Sequence, residues 1–265
     1  MNTKSRSLCP RGTRALLACL MISATSFPLL AETAGEAAPP AKDASPRKPR
    51  VVTFGDSTTA QRGPVEVYTT QLQEKFPSAE FLNKGMGGNT TTMAAERFQA
   101  DVLASQPGVV IIQFGINDAA VDVWKTPPAT ESRVSLDAYG NNLRSFVTQL
   151  RKIGAGAILM TPNQVRWSPA MIEKYGRPPY DPEDPQGFTS ILGTYAERMR
   201  QVAKELDVPL VDIYALYDAK ELKTSPCLEL LSDGMHPSRG GHALVAETLE
   251  PVLREKLNQH ATRPR

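Results

Sequence analysis

Five short runs of residues, most of them rich in Val and Ile and alternating with helix-length amphipathic stretches, constrain this chain more than any other feature. The runs fall at 50–54, 80–83, 109–114, 157–161 and 209–213, and the helical patterns at 65–76, 91–103, 135–152, 188–206 and 239–257. The run Val109-Val110-Ile111-Ile112 shows no polar alternation, so a strand there must be covered on both faces. Strands that alternate with helices are joined by crossovers, and crossovers produce parallel neighbours. The expected class is therefore α/β, built on a parallel sheet of five strands, the second being the weakest. No internal repeat interrupts the pattern.

The first 49 residues stand outside it. Lys4, Arg6, Arg11 and Arg14 precede a mainly apolar stretch over 15–30, which reads as an export signal over 1–31 and implies a secreted or periplasmic protein. Cys19 falls in the middle of that stretch rather than after it, which argues against lipid attachment. Residues 32–49 are rich in Ala, Pro and charge without apolar period and read as a disordered linker. The folded domain is thus expected over 50–257, followed by a polar tail over 258–265. No later stretch approaches the roughly 18 apolar residues of a membrane span. The chain carries 30 basic and 28 acidic residues, but 8 of the basic and 3 of the acidic lie within the first 50, leaving a slightly acidic body. Nucleic acid is accordingly not an expected partner. Cys9 and Cys19 lie in the leader, so Cys227 alone survives its removal; no internal disulfide can form, and Cys227 reads as an inert loop residue.

Three short motifs fall where an open parallel sheet binds ligands, beyond the carboxyl ends of its strands. Gly55-Asp56-Ser57 follows the first strand, Gly115-Ile116-Asn117-Asp118 follows the third, and Asp233-Gly234-Met235-His236 precedes the last helix. Each alone has an ordinary reading as a turn. Together they supply a hydroxyl nucleophile in Ser57, a base in His236, a carboxylate in Asp233 three residues earlier, and a side-chain amide donor in Asn117. A serine is a weak nucleophile until a base takes its proton, and a free imidazole, with a pKa of about 6.5, does so near neutrality. The chain has only three histidines. His242 reads as structural within the last helix and His260 as part of the tail, which leaves His236. No second histidine stands at a ligand spacing from Asp233 and His236, so neither a metal nor any other cofactor is expected.

These motifs, with Gly88 in Asn83-Lys84-Gly85-Met86-Gly87-Gly88-Asn89-Thr90 between the first two, resemble the SGNH hydrolases, also called the GDSL esterase/lipase family. Thr58 stands where that family usually has leucine, a change in packing rather than chemistry. The resemblance implies a three-layer α/β/α sandwich, flavodoxin-like, over about 50–257. It also implies an oxyanion hole formed by the Ser57 and Gly88 backbone N–H groups and the Asn117 amide, with Gly87 a competitor for the glycine position. The activity implied is serine esterase, releasing short acyl groups through an acyl-enzyme.

Two connections, 118–134 and 162–187, are too long to be simple turns and leave the same rim. They hold both tryptophans, Trp124 and Trp167, near Lys125, Arg133 and Arg166. Trp124, Arg166 and Trp167 are candidate substrate contacts, since an indole can stack on a sugar or line an acyl pocket. Either tryptophan can equally pin its own loop. With an export signal, the leading expectation is an O-acetyl esterase on carbohydrate, its substrate a small-molecule or polysaccharide ester. A lysophospholipase or short-chain lipase is the alternative, and a catalytically silent carbohydrate-binding module the alternative of another class.

Overall fold

A computed structural model describes residues 48–184, 189–221 and 229–262. The leader, most of the linker and Cys227 lie outside the described residues. The chain runs β1 (Arg50–Gly55), α1 (Tyr68–Lys75), β2 (Glu80–Gly85), α2 (Thr91–Asp101), β3 (Val109–Gln113), α3 (Ile116–Ala119), α4 (Leu136–Lys152), β4 (Gly156–Met160), α5 (Pro169–Tyr175), α6 (Thr189–Glu205), β5 (Leu210–Val211), α7 (Ile213–Glu221) and α8 (Arg239–Ala261). All five strands pair in parallel in the order β2-β1-β3-β4-β5, the flavodoxin-like arrangement.

The alternation of side chains along each strand divides the core into two layers. Val52 and Phe54 of β1 and Val110 and Ile112 of β3 point to the side covered by α2, α4 and α6, where Phe98, Phe146 and Met199 meet them. Val51, Val109 and Ile111 point to the other side, against Leu72 of α1 and Val245 and Leu249 of α8. Phe54 packs edge-on against Phe114 and Phe146, with centroids 5.2 and 5.7 Å away, directly beneath the turn that carries Ser57. Helix starts follow local chemistry. The Thr90, Ser135, Ser168 and Ser238 side chains each accept a backbone N–H at the start of α2, α4, α5 and α8.

Several boundaries differ from the sequence expectation. The fold begins before Arg50, since Glu80 N–H donates to Pro49 O at 2.9 Å and Lys48 Nζ to Pro77 O at 2.7 Å. The last helix does not stop at Leu257 to leave a polar tail from 258. It continues to Ala261 and lays the His260 ring against Gly108, whose missing Cβ would lie 2.9 Å from it. The helix patterned over 65–76 starts only at Tyr68. Helices α5 and α7 were not legible as elements, being short segments whose apolar residues are set by the surfaces they cover.

Gly85, at the end of β2, passes the turn after β1 so closely that a Cβ there would lie 2.3 Å from Ala60 N and 2.6 Å from Thr59 C. Backbone cannot yield as a side chain does. Gly85→Ala is therefore expected to destabilise by about 1–3 kcal/mol, seen as a Tm lower by several degrees. An unchanged Tm would show that β2 shifts freely.

Candidate active site

The carboxyl ends of β1, β2 and β3 bring the motif residues to one rim. At the end of β1, Asp56 turns inward and is buried. Its Oδ1 accepts both the backbone N–H and the hydroxyl of Thr58 at 2.8 Å, folding the turn around Ser57. Burial raises the Asp56 pKa, against the lowering effect of Thr58, His236 and the Asn117 amide.

The Ser57 hydroxyl faces His236, with Oγ 2.9 Å from Nε2, across 179 positions of sequence. On the other side of the ring, His236 Nδ1 lies 2.7 Å from Asp233 Oδ2. Asp233 Oδ1 accepts the backbone N–H groups of Met235 at 3.0 Å and His236 at 2.8 Å. Partial burial raises the Asp233 pKa, but the hydrogen bonds from the His236 backbone and ring, its charge, and the Met235 N–H together hold it below the ordinary carboxylate value. An ionised Asp233 only accepts, so Nδ1 carries the proton, and Nε2 is the free base that accepts the Ser57 hydroxyl. Arg62 Nη2 stands 3.6 Å from Asp233 Oδ2 on the solvent side.

The Asp233–His236 turn is held from outside as well. Leu231 and Pro237 pair across it, and the Ser232 N–H donates to His236 O at 2.8 Å. The loop after β4 clasps it through the Arg166 N–H donating to Gly234 O at 2.6 Å and Asn163 Nδ2 donating to Met235 O at 2.9 Å. Gly234, at φ +86°, has room only because it lacks a Cβ, which would lie 2.5 Å from Arg166 O.

The three expected oxyanion donors are the Ser57 and Gly88 N–H groups and the Asn117 amide. Among the described residues neither the Ser57 nor the Gly88 backbone N–H donates a hydrogen bond, and the buried Asn117 Nδ2 has no acceptor in hydrogen-bonding geometry, although the amide lies close enough to the Asp56 carboxyl to lower its pKa. Gly88 sits at φ +75°, a conformation that favours glycine, with open space where a Cβ would be. The adjacent Gly87 brings this turn against Ser57, its missing Cβ 4.0 Å from the serine Cβ. Asn117 lies on the short helix α3, which starts after Phe114 and Gly115 at the end of the buried β3. Its neighbour Asp118 accepts the Thr91 N–H at 2.8 Å and hydroxyl at 2.5 Å, tying the start of α2 to α3. Burial pushes the Asp118 carboxyl up to about 6 despite those bonds.

Of the expected substrate contacts, Trp124 is 43 % exposed, with Lys174 Nζ 4.9 Å and Lys125 Nζ 5.7 Å from its ring centroid. Trp167 packs edge-on to Tyr180 and donates its indole N–H to Asp181 O at 3.1 Å, which anchors the loop after β4. Arg166 is buried, and it is its backbone that meets the Asp233–His236 turn. His242 is buried beside Tyr68, where burial, with Arg62 and His236 adding to it, lowers its pKa to about 4. Arg97 had no sequence signal. Its guanidinium, lying over the Phe54 ring, donates to Gly55 O at 3.1 Å, Lys84 O at 2.9 Å and Asn89 Oδ1 at 2.7 Å, pinning the ends of β1 and β2 and the Gly88 turn together.

Such an arrangement, a hydroxyl hydrogen-bonded to an imidazole near unengaged N–H donors, is chemically capable of acyl transfer. The model of the GDSL-like lipase/acylhydrolase family matches residues 53–244. The acetylxylan esterase of Geobacillus stearothermophilus is 33 % identical over 180 residues, 66 % of this chain and 73 % of that protein. A crystal structure of an acetylxylan esterase from Geobacillus stearothermophilus superposes with a TM-score of 0.61 at 28 % identity, covering 78 % of this chain and 94 % of that one. Its solved catalytic mutants replace a serine, an aspartate and a histidine by alanine. The isoamyl acetate-hydrolyzing esterase 1 homolog of Mus musculus is 28 % identical over 225 residues, 79 % of this chain and 83 % of that protein. This chain belongs to the GDSL-like lipase/acylhydrolase family and is a carboxylic ester hydrolase.

Proposed function

We propose that this protein is an exported serine esterase that removes acetyl groups from carbohydrate, with Ser57 as nucleophile, His236 as general base and Asp233 as its orienting carboxylate. The observation that carries the chemistry is the unbroken relay from Ser57 Oγ through both ring nitrogens of His236 to Asp233. His236 takes the serine proton as Oγ attacks the ester carbonyl. The oxyanion is met by the Ser57 and Gly88 N–H groups and Asn117 Nδ2, and the imidazolium then protonates the departing alkoxide. Water repeats the sequence on the acyl-enzyme and releases the acid.

Acetate as the acyl group is supported by two relatives, whose names refer to acetylxylan and to isoamyl acetate. A carbohydrate leaving group is supported by the exposed Trp124, which offers an apolar plane to a sugar. Trp124→Ala is expected to lower kcat/KM for an acetylated xylo-oligosaccharide about tenfold, a stacking loss of about 1–2 kcal/mol. Turnover of p-nitrophenyl acetate should hardly change, because that ester needs only the nucleophile and the oxyanion donors. Trp167→Ala should instead lower Tm and affect both substrates together, as befits a loop anchor. A parallel loss on both substrates in Trp124→Ala would reject the sugar platform.

A lysophospholipase reading is favoured by a different observation. Met86 and Met93, on and after the Gly88 turn, are each 48 % exposed and offer an apolar edge to an acyl chain. Assays of the protein on acetylated xylo-oligosaccharide and on lysophosphatidylcholine decide between them. Faster turnover of the lysophospholipid would give that reading the lead.

A further inference from the structure

We propose that Arg133, near the end of the long connection after β3, is a positioning residue that fixes the orientation of the Asn117 amide. This rests on the reading of Asn117 as an oxyanion donor. A carboxamide has two ends of similar size, and a half-turn about its last torsion exchanges donor for acceptor. Only one orientation serves an oxyanion. Arg133 Nη1 donates to Asn117 Oδ1 at 3.0 Å. A guanidinium has donors and no acceptor, so it tolerates only the carbonyl end. The NH₂ end is thereby turned away, and this nitrogen is buried with no acceptor in hydrogen-bonding geometry, the Asp56 carboxyl being the acidic group its amide influences.

Arg133 is itself held. Its Nε and Nη2 donate to Asp122 Oδ1 at 3.0 and 2.7 Å. Asp122 is almost wholly buried and also pairs with Lys125 at 2.8 Å. Burial raises the Asp122 pKa, but Arg133 and Lys125 more than reverse this and keep it ionised. The loop that carries the pair is closed by its own bonds, Arg133 N–H to Ala120 O at 3.0 Å and Val134 N–H to Asp118 O at 3.2 Å, and is tied to the loop after β4 by the Val121 N–H donating to Tyr180 Oη at 2.7 Å. The fork on Asp122 leaves Nη1 for Asn117. The charge of Arg133, largely balanced by Asp122, also aligns with the amide dipole, whose positive end then faces the developing oxyanion.

A double-mutant cycle on p-nitrophenyl acetate tests this, with kcat, KM and Tm measured for Asn117→Ala, Arg133→Met, Arg133→Lys, Asp122→Asn and each of the latter three combined with Asn117→Ala. Arg133→Met is expected to lower kcat about tenfold with KM changed less than about twofold, and Arg133→Lys, which keeps a donor but loses the fork, to lie between it and the parent. In the Asn117→Ala background all three changes should alter kcat by less than about threefold, because the group they orient is gone. Losses that multiply across the two positions, or a kcat unchanged while Tm falls, would make Arg133 a structural residue only. If Arg133→Met does not fold, Arg133→Lys and Asp122→Asn decide by the same criterion. An Asn117→Ala variant with full kcat would instead remove the oxyanion reading of Asn117 itself, an outcome separate from failure of the cycle.

Discussion

Ser57→Ala is expected to lower kcat for p-nitrophenyl acetate by about 10³–10⁶ while far-ultraviolet circular dichroism and Tm stay at the parent values. The hydroxyl that is lost holds no part of the fold, since its hydrogen bond is to His236 Nε2. The turn beneath it is held by Asp56 and Thr58 and stays in place. His236→Ala should cost nearly as much, and the double variant no more than either alone, because the two groups act as one unit. Asp233→Asn should cost less, since the backbone bonds of the turn still support the ring. An organophosphonate should label Ser57 and no other serine, as read by intact mass and peptide mapping. Undiminished turnover in Ser57→Ala, or labelling elsewhere, would remove the nucleophile assignment.

Asn117→Ala is expected to lower kcat by about 10²–10³ with KM nearly unchanged. Its Nδ2 is a buried donor with no acceptor in hydrogen-bonding geometry, so it can gain most from an oxyanion that exists only on the way to and from the tetrahedral intermediate. A ground-state carbonyl is a weaker acceptor, which is why binding should be spared. A loss confined to KM would recast Asn117 as a contact to the bound ester. Because the Asn117 side chain is also linked to Arg133, its removal leaves Arg133 with Asp122, and a small fall in Tm is compatible with the reading.

Much of the framework was legible because it is written in short-range pattern. The unbroken apolar run of β3 could only be a strand covered on both faces, and it is. The helix read over 135–152 has its cap at Ser135 and its end at Lys152, where capping chemistry and amphipathic period coincide. The weak second strand was equally real, although none of its residues is fully buried, because its pairing with β1 supplies what its apolar content does not. Helix α7 is not legible in the sequence because it starts almost at once after a strand of only two residues, which the sequence extends by pattern alone to five.

Chemistry confined to a few neighbouring residues was determined by the sequence itself: the Asp233–His236 turn, the glycines at the strand ends, the caps, and the parallel sheet that gathers strand ends at one rim. What the tertiary structure decided lies in contacts between residues far apart in the chain. Arg133 reaches Asn117 from 16 positions away, and Arg97 meets Gly55 from 42. The same holds for the two tryptophans. Identical side chains on similar loops part company because Trp167 finds Tyr180 and a backbone carbonyl, whereas Trp124 is left exposed beside two lysines. A long side chain samples many partners of equal local merit, and only the closed sheet, by setting which loops lie side by side, removes all but one of them.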